Sequence, residues 1–341
     1  MLQNLARGSI AALLAALAAL PVHGAPLKVG FVYVSPIGEA GWTYQHDLGR
    51  RAMQQALGDQ AEVTVVEAVA EGPDSERVMR DLAAQGHGLV FATSFGYLEP
   101  ALRVAAQFPE VKFEHAGGYK TAPNLNTYNA RYYEARYLAG LLAGKTSKGG
   151  IAGYVAGFPV PEVIQGINAF AIGMREANPQ AQVKVLWLNS WFDPAREREA
   201  ALTLIHQGAD VLTNHSGSPA VAQTAQEQGV KLVAYQSDMR RFAPQAQLTA
   251  IVHQWGGYYT RAARAVIAGT WKPQPVWGGL KDGFITLAPY GADVPKDVVA
   301  LVEAKRRAIV EGSFKPFGKL SDAQIAAMDS FVPGVSGAVP K

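Results

Sequence analysis

The 341-residue chain contains no cysteine, which removes disulfides, thiolate metal sites and cysteine nucleophiles together. It also lacks the lipidated cysteine that many exported binding proteins carry behind their leader. After the first 25 residues no apolar stretch is long enough for a transmembrane helix, so a soluble mature protein is expected. Basic runs are missing too. The 31 lysines and arginines face 28 acids, or 30 against 28 once Arg7 leaves with the leader, so nucleic acid is not an expected partner. The seven histidines show no metal-ligand spacing and no serine sits in a nucleophile elbow. No metal, cofactor or catalytic centre is expected. The stretch GLLAGKT at 140–146 imitates a phosphate loop with one residue too few between its glycines. It also lies at a helix end, where the dipole disfavours phosphate.

What is present begins with a leader. Met1–Ser9 carries Arg7 and no acid, Ile10–Leu20 is an unbroken apolar run, and residues 21–25 end in Gly24 and Ala25. That order of basic, apolar and small marks a secretory signal over residues 1–25, and a freely diffusing periplasmic protein behind it. The roughly 315 residues that remain exceed one typical core and predict two domains.

Strand and helix patterns then alternate. Leu27–Val34, Glu62–Val69, Gly88–Ser94 and Lys112–Gly117 read as strands. Between them lie helices, the first carrying Tyr44, Leu48, Ala52 and Ala56 on one face, then Asp74–Gln85 and Glu99–Phe108. The pattern restarts with strands at Gly150–Gly157, Val183–Asn189, Asp210–Asn214 and Lys231–Ser237. Its helices open at Glu162, at Asp193-Pro194 and at Ser218-Pro219, the last two with an N-cap and an N1 proline. The expected class is α/β, with two doubly wound, Rossmann-like lobes. Lobe 1 is assigned to 26–125 plus about 255–285, lobe 2 to 126–254 plus about 286–320, and a tail to 321–341. Leu248–Gln254 and Gly283–Leu287 are read as strands that return to the first lobe across the hinge. Glu197, Glu199 and the acids of Glu71–Asp81 are assigned to solvated helix faces.

Ligands of open α/β sheets bind at the C-terminal ends of the strands. Glu39 and Trp42 follow the first strand, Phe95 and Tyr97 the third, Trp191 a strand of the second lobe, and Ser216, Gln236 and Asp238 two more. One tryptophan per lobe at this edge suits a slot for a flat ring, with polar side chains reading the ring's rim.

The order and spacing of VGFVYVSPIGEAGW, FEHAGGY, YNARYYEARYLAGLLAG, IAGYVAGFPVPEVIQGINAFAIG, NSWFDPAREREAA, GADVLTNHSGSPAV and MDSFVPGVSG resemble the basic membrane protein family. These are substrate-binding proteins of certain ABC transporters and include a purine nucleoside receptor. The resemblance covers nearly the whole mature chain. It implies a type 1 periplasmic-binding-protein clamp with three hinge strands, a purine-like ligand, a permease in the inner membrane as partner, and a monomer. It carries the stacking aromatics onto Trp42, three residues after Glu39, and Trp191, two before Asp193-Pro194. Asn129 in the YNARYY segment joins the candidates. The family's ribose-binding segment, Val-Asp-Ser-Asp in many relatives, reads Tyr235-Gln236-Ser237-Asp238 here, and His253 stands for a ribose-contacting lysine. Losing one carboxylate and one ammonium favours a free nucleobase over a nucleoside. A periplasmic sensor feeding a membrane receptor and a nucleoside-processing enzyme are the competing readings.

Overall fold

The computed structural model describes residues 25–340. The leader expected over 1–25 lies outside them apart from Ala25. The first half of the chain runs β1 (Leu27–Val32), α1 (Trp42–Leu57), β2 (Ala61–Val66), α2 (Pro73–Ala84), β3 (Leu89–Ala92), α3 (Leu98–Gln107), β4 (Lys112–Ala116) and β5 (Leu125–Ala130). The strands β1 and β3 are apolar because helices cover both faces of a parallel sheet, and Val29, Phe31, Val90 and, in β4, Phe113 have no exposed surface.

Helix α4 (Tyr132–Thr146) then leads into β6 (Ile151–Ala156), α5 (Pro161–Ala177), β7 (Gln182–Trp187), α6 (Pro194–His206), β8 (Val211–His215), α7 (Ala220–Gln228), β9 (Lys231–Gln236) and β10 (Gln247–His253). The glycines of the false phosphate loop belong to a helix crossing. A Cβ on Gly140 would lie 1.9 Å from the Phe170 carbonyl oxygen, and one on Gly173 2.1 Å from that of Tyr137. Only glycine lets α4 and α5 approach this closely.

The chain closes with α8 (Gly256–Ile267), β11 (Val276–Gly278), β12 (Ile285–Leu287), α9 (Lys296–Glu311), α10 (Asp322–Ala326) and β13 (Val335–Ser336). Two sheets result, ordered β11-β5-β4-β3-β1-β2 and β12-β10-β9-β8-β6-β7-β13. All pairs are parallel except β10 with β12. The chain passes between the sheets three times: after β5, after β10 and after β11. Several expectations shift accordingly. The strand over 125–130 stays in the first sheet, the strands near 248–254 and 283–287 both join the second, and the C-terminal segment contributes β13.

One burial expectation is also overturned, and the first helix turns inward a face other than the one the sequence singles out. The stripe Tyr44, Leu48, Ala52 and Ala56 is half-exposed or exposed, while Gln45, His46, Asp47, Met53 and Leu57 face inward. Polar residues can take that face because His46 bonds Tyr259 and Asp47 accepts from Arg50 and Arg51. Glu197 is fully buried rather than solvated. It accepts from Ser216 Oγ at 2.8 Å and from the Asp193 amide at 3.2 Å. Asp193 itself caps α6 as expected, accepting from the Arg196 amide, with Pro194 in the first turn.

Candidate functional site

In each sheet one place has successive strands leaving in opposite directions, between β1 and β3 in the first and between β6 and β8 in the second. Such switch points open a crevice at the strand ends. The two crevices meet in one cleft lined by residues of both sheets. The first lobe lines it with Val34, Ser35 and Trp42 after β1, Ser94 and Phe95 after β3, and Ala116 and Gly117 at β4. The second supplies Glu162 after β6, Trp191 and Phe192 after β7, His215 and Gly217 at β8, and Gln236 at β9.

Four of the residues singled out from sequence therefore meet at one cleft: Trp42, Phe95, Trp191 and Gln236. Trp42 is fixed by donating from Nε1 to the Thr93 carbonyl at 2.6 Å and by edge packing on His46 and His253. Trp191 packs on Phe158 with ring centroids 4.8 Å apart. Gln236 is 3 % exposed, its side-chain Oε1 has no partner, and its φ of 71° is one that residues with a Cβ rarely adopt. Strained backbone and an unpaired buried acceptor together are a signature of a functional position.

The other six are engaged elsewhere. Glu39 is exposed and pairs with Arg241 at 2.8 Å. Tyr97 is buried and donates to the Val69 carbonyl. Ser216 serves Glu197. Asp238 accepts from Arg240 and from Gln247 Nε2. Asn129 donates to Glu162 Oε2 at 2.8 Å, one bond away from the cleft. His253 lies behind the cleft wall, 4.6 Å from the Tyr132 ring, with both ring nitrogens unpartnered.

Sequence reasoning missed Glu71. Its Oε1 accepts from Ser94 Oγ at 2.6 Å, from the Gly96 amide at 2.8 Å and, across the cleft, from Trp191 Nε1 at 3.1 Å. The lobes also touch through the loop around Gly41. The Gly41 amide donates to Ser237 Oγ at 2.8 Å, and a Cβ on Gly41 would lie 1.9 Å from the Gly217 carbonyl oxygen. The cleft is thus held closed by direct contacts between loops of the two sheets.

Behind the cleft floor the Arg136 guanidinium is fully buried. It stacks 3.5 Å from the Tyr235 ring centroid and donates to Thr213 Oγ1 and the Asn214 carbonyl, anchoring the end of β8. The histidines nearby are neutral because burial disfavours their charged form: His46 and His115 are pushed down to about 3, and His215 and His253 are lowered as well. The unfolded chain takes up these protons below about pH 6.5, whereas the folded chain resists protonation until far lower pH. Stability is therefore full above pH 6.5 and falls as the pH drops from there towards 3. Glu114, Glu134 and Glu197, raised by burial, act in the opposite sense and moderate the slope. Calorimetry from pH 7.5 to 4.5 is expected to show a falling Tm. A flat or rising profile would contradict neutral burial of the histidines.

Two parallel-sheet lobes closing on a cleft at both switch points define the type 1 periplasmic-binding-protein fold. Solved structures of ABC transporter solute-binding proteins agree in fold. One from Aeropyrum pernix matches with a TM-score of 0.73 at 19 % identity, over 85 % of this chain and 93 % of the other. One from Conexibacter woesei matches with a TM-score of 0.69 at 24 % identity, over 85 % and 98 %. Residues 27–322 match the Bmp family, described as ABC transporter substrate-binding protein PnrA-like, and the chain belongs to that family. Its members are substrate-binding proteins rather than enzymes. A purine-binding protein of Brucella abortus is 48 % identical over 92 % of this chain and 94 % of its own length. A Haloferax volcanii ABC transporter protein named for glucose binding is 37 % identical over 94 % of this chain and 83 % of its own.

Proposed function

We propose that the protein is the periplasmic receptor of an ABC importer, that it captures a purine-type ring between Trp42 and Trp191, and that it prefers a free nucleobase to a nucleoside. The observation that supports this most is the pairing of one tryptophan from each sheet on a single cleft, with the unpaired Gln236 Oε1 beside them. Aromatic walls suit a flat heterocycle, and a buried acceptor without a partner favours a ring that brings an N–H to it. The name of the Brucella relative points the same way. The preference for a base rests on two side chains. Gln236 stands where many relatives carry the first acid of the ribose-binding segment, and His253, in place of a ribose-contacting lysine, is buried behind the wall. Export rests on the basic, apolar and small order of residues 1–25.

Binding works by population shift, because only the closed state gives the ligand contacts from both lobes. The test is calorimetric titration with adenine, guanine, adenosine, guanosine and glucose. The bases are expected to bind below millimolar and more tightly than their nucleosides. No purine binding below millimolar would overturn the reading, and glucose binding in its place would assign the cleft to a sugar.

A further inference from the structure

Cleft side chains divide by what hydrogen-bonding capacity they have left. Most of the donors are spent inside the protein, the Gln236 side-chain amide excepted. Ser35 Oγ is bonded to Thr43 Oγ1, and Ser94 Oγ donates to Glu71. The indoles of Trp42 and Trp191 donate to Thr93 and Glu71. The Gly117 and Gly217 amides donate to the carbonyls of Tyr128 and Trp191.

The acceptors are not spent. Gln236 Oε1 has no partner. Glu162 lies in the first turn of α5 and turns its carboxylate into the cleft. One of its oxygens takes the Asn129 amide at 2.8 Å, and the other lies 3.5 Å from His215 Nε2. A carboxylate has about four acceptor sites, so capacity remains on both oxygens.

We infer that Glu162 is the specificity-determining residue of this cleft: with Gln236 it selects rings that present several N–H donors, the amino-substituted purine bases, over rings that present few. The inference rests on the purine reading above and adds to it the class of base. A charged acceptor in a desolvated cleft rewards an amino group with a strong hydrogen bond and gains little from a bare C–H edge. The same carboxylate also joins the lobes, because Asn129 belongs to β5 of the first sheet and Glu162 to the second lobe. That bridging role would affect all ligands alike, so a comparison between ligands separates the two roles.

The experiment titrates wild type, Glu162→Gln and Glu162→Asp with guanine, adenine and unsubstituted purine by calorimetry at neutral pH. Wild type is expected to bind guanine and adenine more tightly than purine. Glu162→Gln is expected to weaken the two amino-substituted bases by about 10- to 100-fold and to change purine by less than about threefold. Glu162→Asp keeps the charge and is expected to keep the ranking. An equal loss for all three ligands would overturn the inference and leave Glu162 as a bridge between lobes, and no loss would remove it from the site. Should Glu162→Gln not fold, the wild-type ranking decides, because purine binding as tightly as guanine overturns the inference. Failure of wild type to bind any of the three would instead remove the purine reading itself.

Discussion

Trp42→Ala and Trp191→Ala are each expected to weaken binding of a purine base by roughly 5- to 150-fold, the equivalent of about 1–3 kcal/mol of stacking. The two variants should differ in their side effects. Trp42 sits in an aromatic group with His46, Tyr132, His253 and Trp255, so its removal opens space in the first lobe and lowers Tm. Trp191 packs on Phe158 and is held from the opposite lobe by Glu71, so its removal mainly frees that carboxylate and loosens closure. Replacement by phenylalanine is expected to recover part of the affinity at either position, because the ring face is kept while the Nε1 bond is lost. Titration calorimetry with parallel thermal unfolding checks both effects. An alanine variant with wild-type affinity would take that tryptophan out of the site.

Gly41→Ala is expected to impair binding by roughly a hundredfold or more, the scale reached when a closed state is displaced by a few kcal/mol. The new methyl group would meet the Gly217 carbonyl oxygen of the other lobe at 1.9 Å. Both partners at this contact are backbone, so neither can swing away and the lobes must stay apart. Gly41 also has φ 94°, which adds strain of its own. Gly38→Ala provides the control. It lies in the same loop with φ 59° but has no atom within 4 Å of the added carbon, so it introduces strain without obstruction. Small-angle scattering with ligand present should find Gly41→Ala extended and Gly38→Ala compact. Equal affinities for the two variants would show that closure does not depend on this contact.

The parts of the fold legible in the sequence are those whose signal is local. The strands β1, β3, β6 and β9 are largely apolar runs bounded by glycine, proline or polar residues, and their positions were readable to within a few residues. The strand β5, Leu-Asn-Thr-Tyr-Asn-Ala, has no such signal. Its Asn126 is buried because Glu114 and Tyr258 supply partners from β4 and α8. The strands β11 and β13 are three residues or fewer, too short for any periodicity, whereas β12 lies inside the Gly283–Leu287 run that was legible as a strand but assigned to the wrong sheet. The candidate site follows the same rule. Tryptophans after strand ends can be recognised one at a time. The acids cannot, because what engages Glu71 is an indole 120 positions away, and what satisfies the buried Glu197 is a pair of serines beyond the next strand. Charges were assigned to solvent for want of a visible partner, and here the partners come from distant segments.

The placement of those short strands also governs the order in which the molecule can be completed. Residues 27–130 bring together five strands of the first sheet, but its edge beside β5 is covered only by Val276–Gly278. The second sheet waits for Ile285–Leu287 beside β10 and for Val335–Ser336 beside β7. A chain emerging from its N-terminus therefore carries unfinished sheet edges, two until residues 276–287 arrive and the one beside β7 until Val335–Ser336 arrives, and open edges invite pairing with other chains. A truncation near residue 270 would retain the cleft walls yet leave all three edges bare. The two lobes are separate as sheets, yet the edges of both are completed by strands from the C-terminal part of the chain.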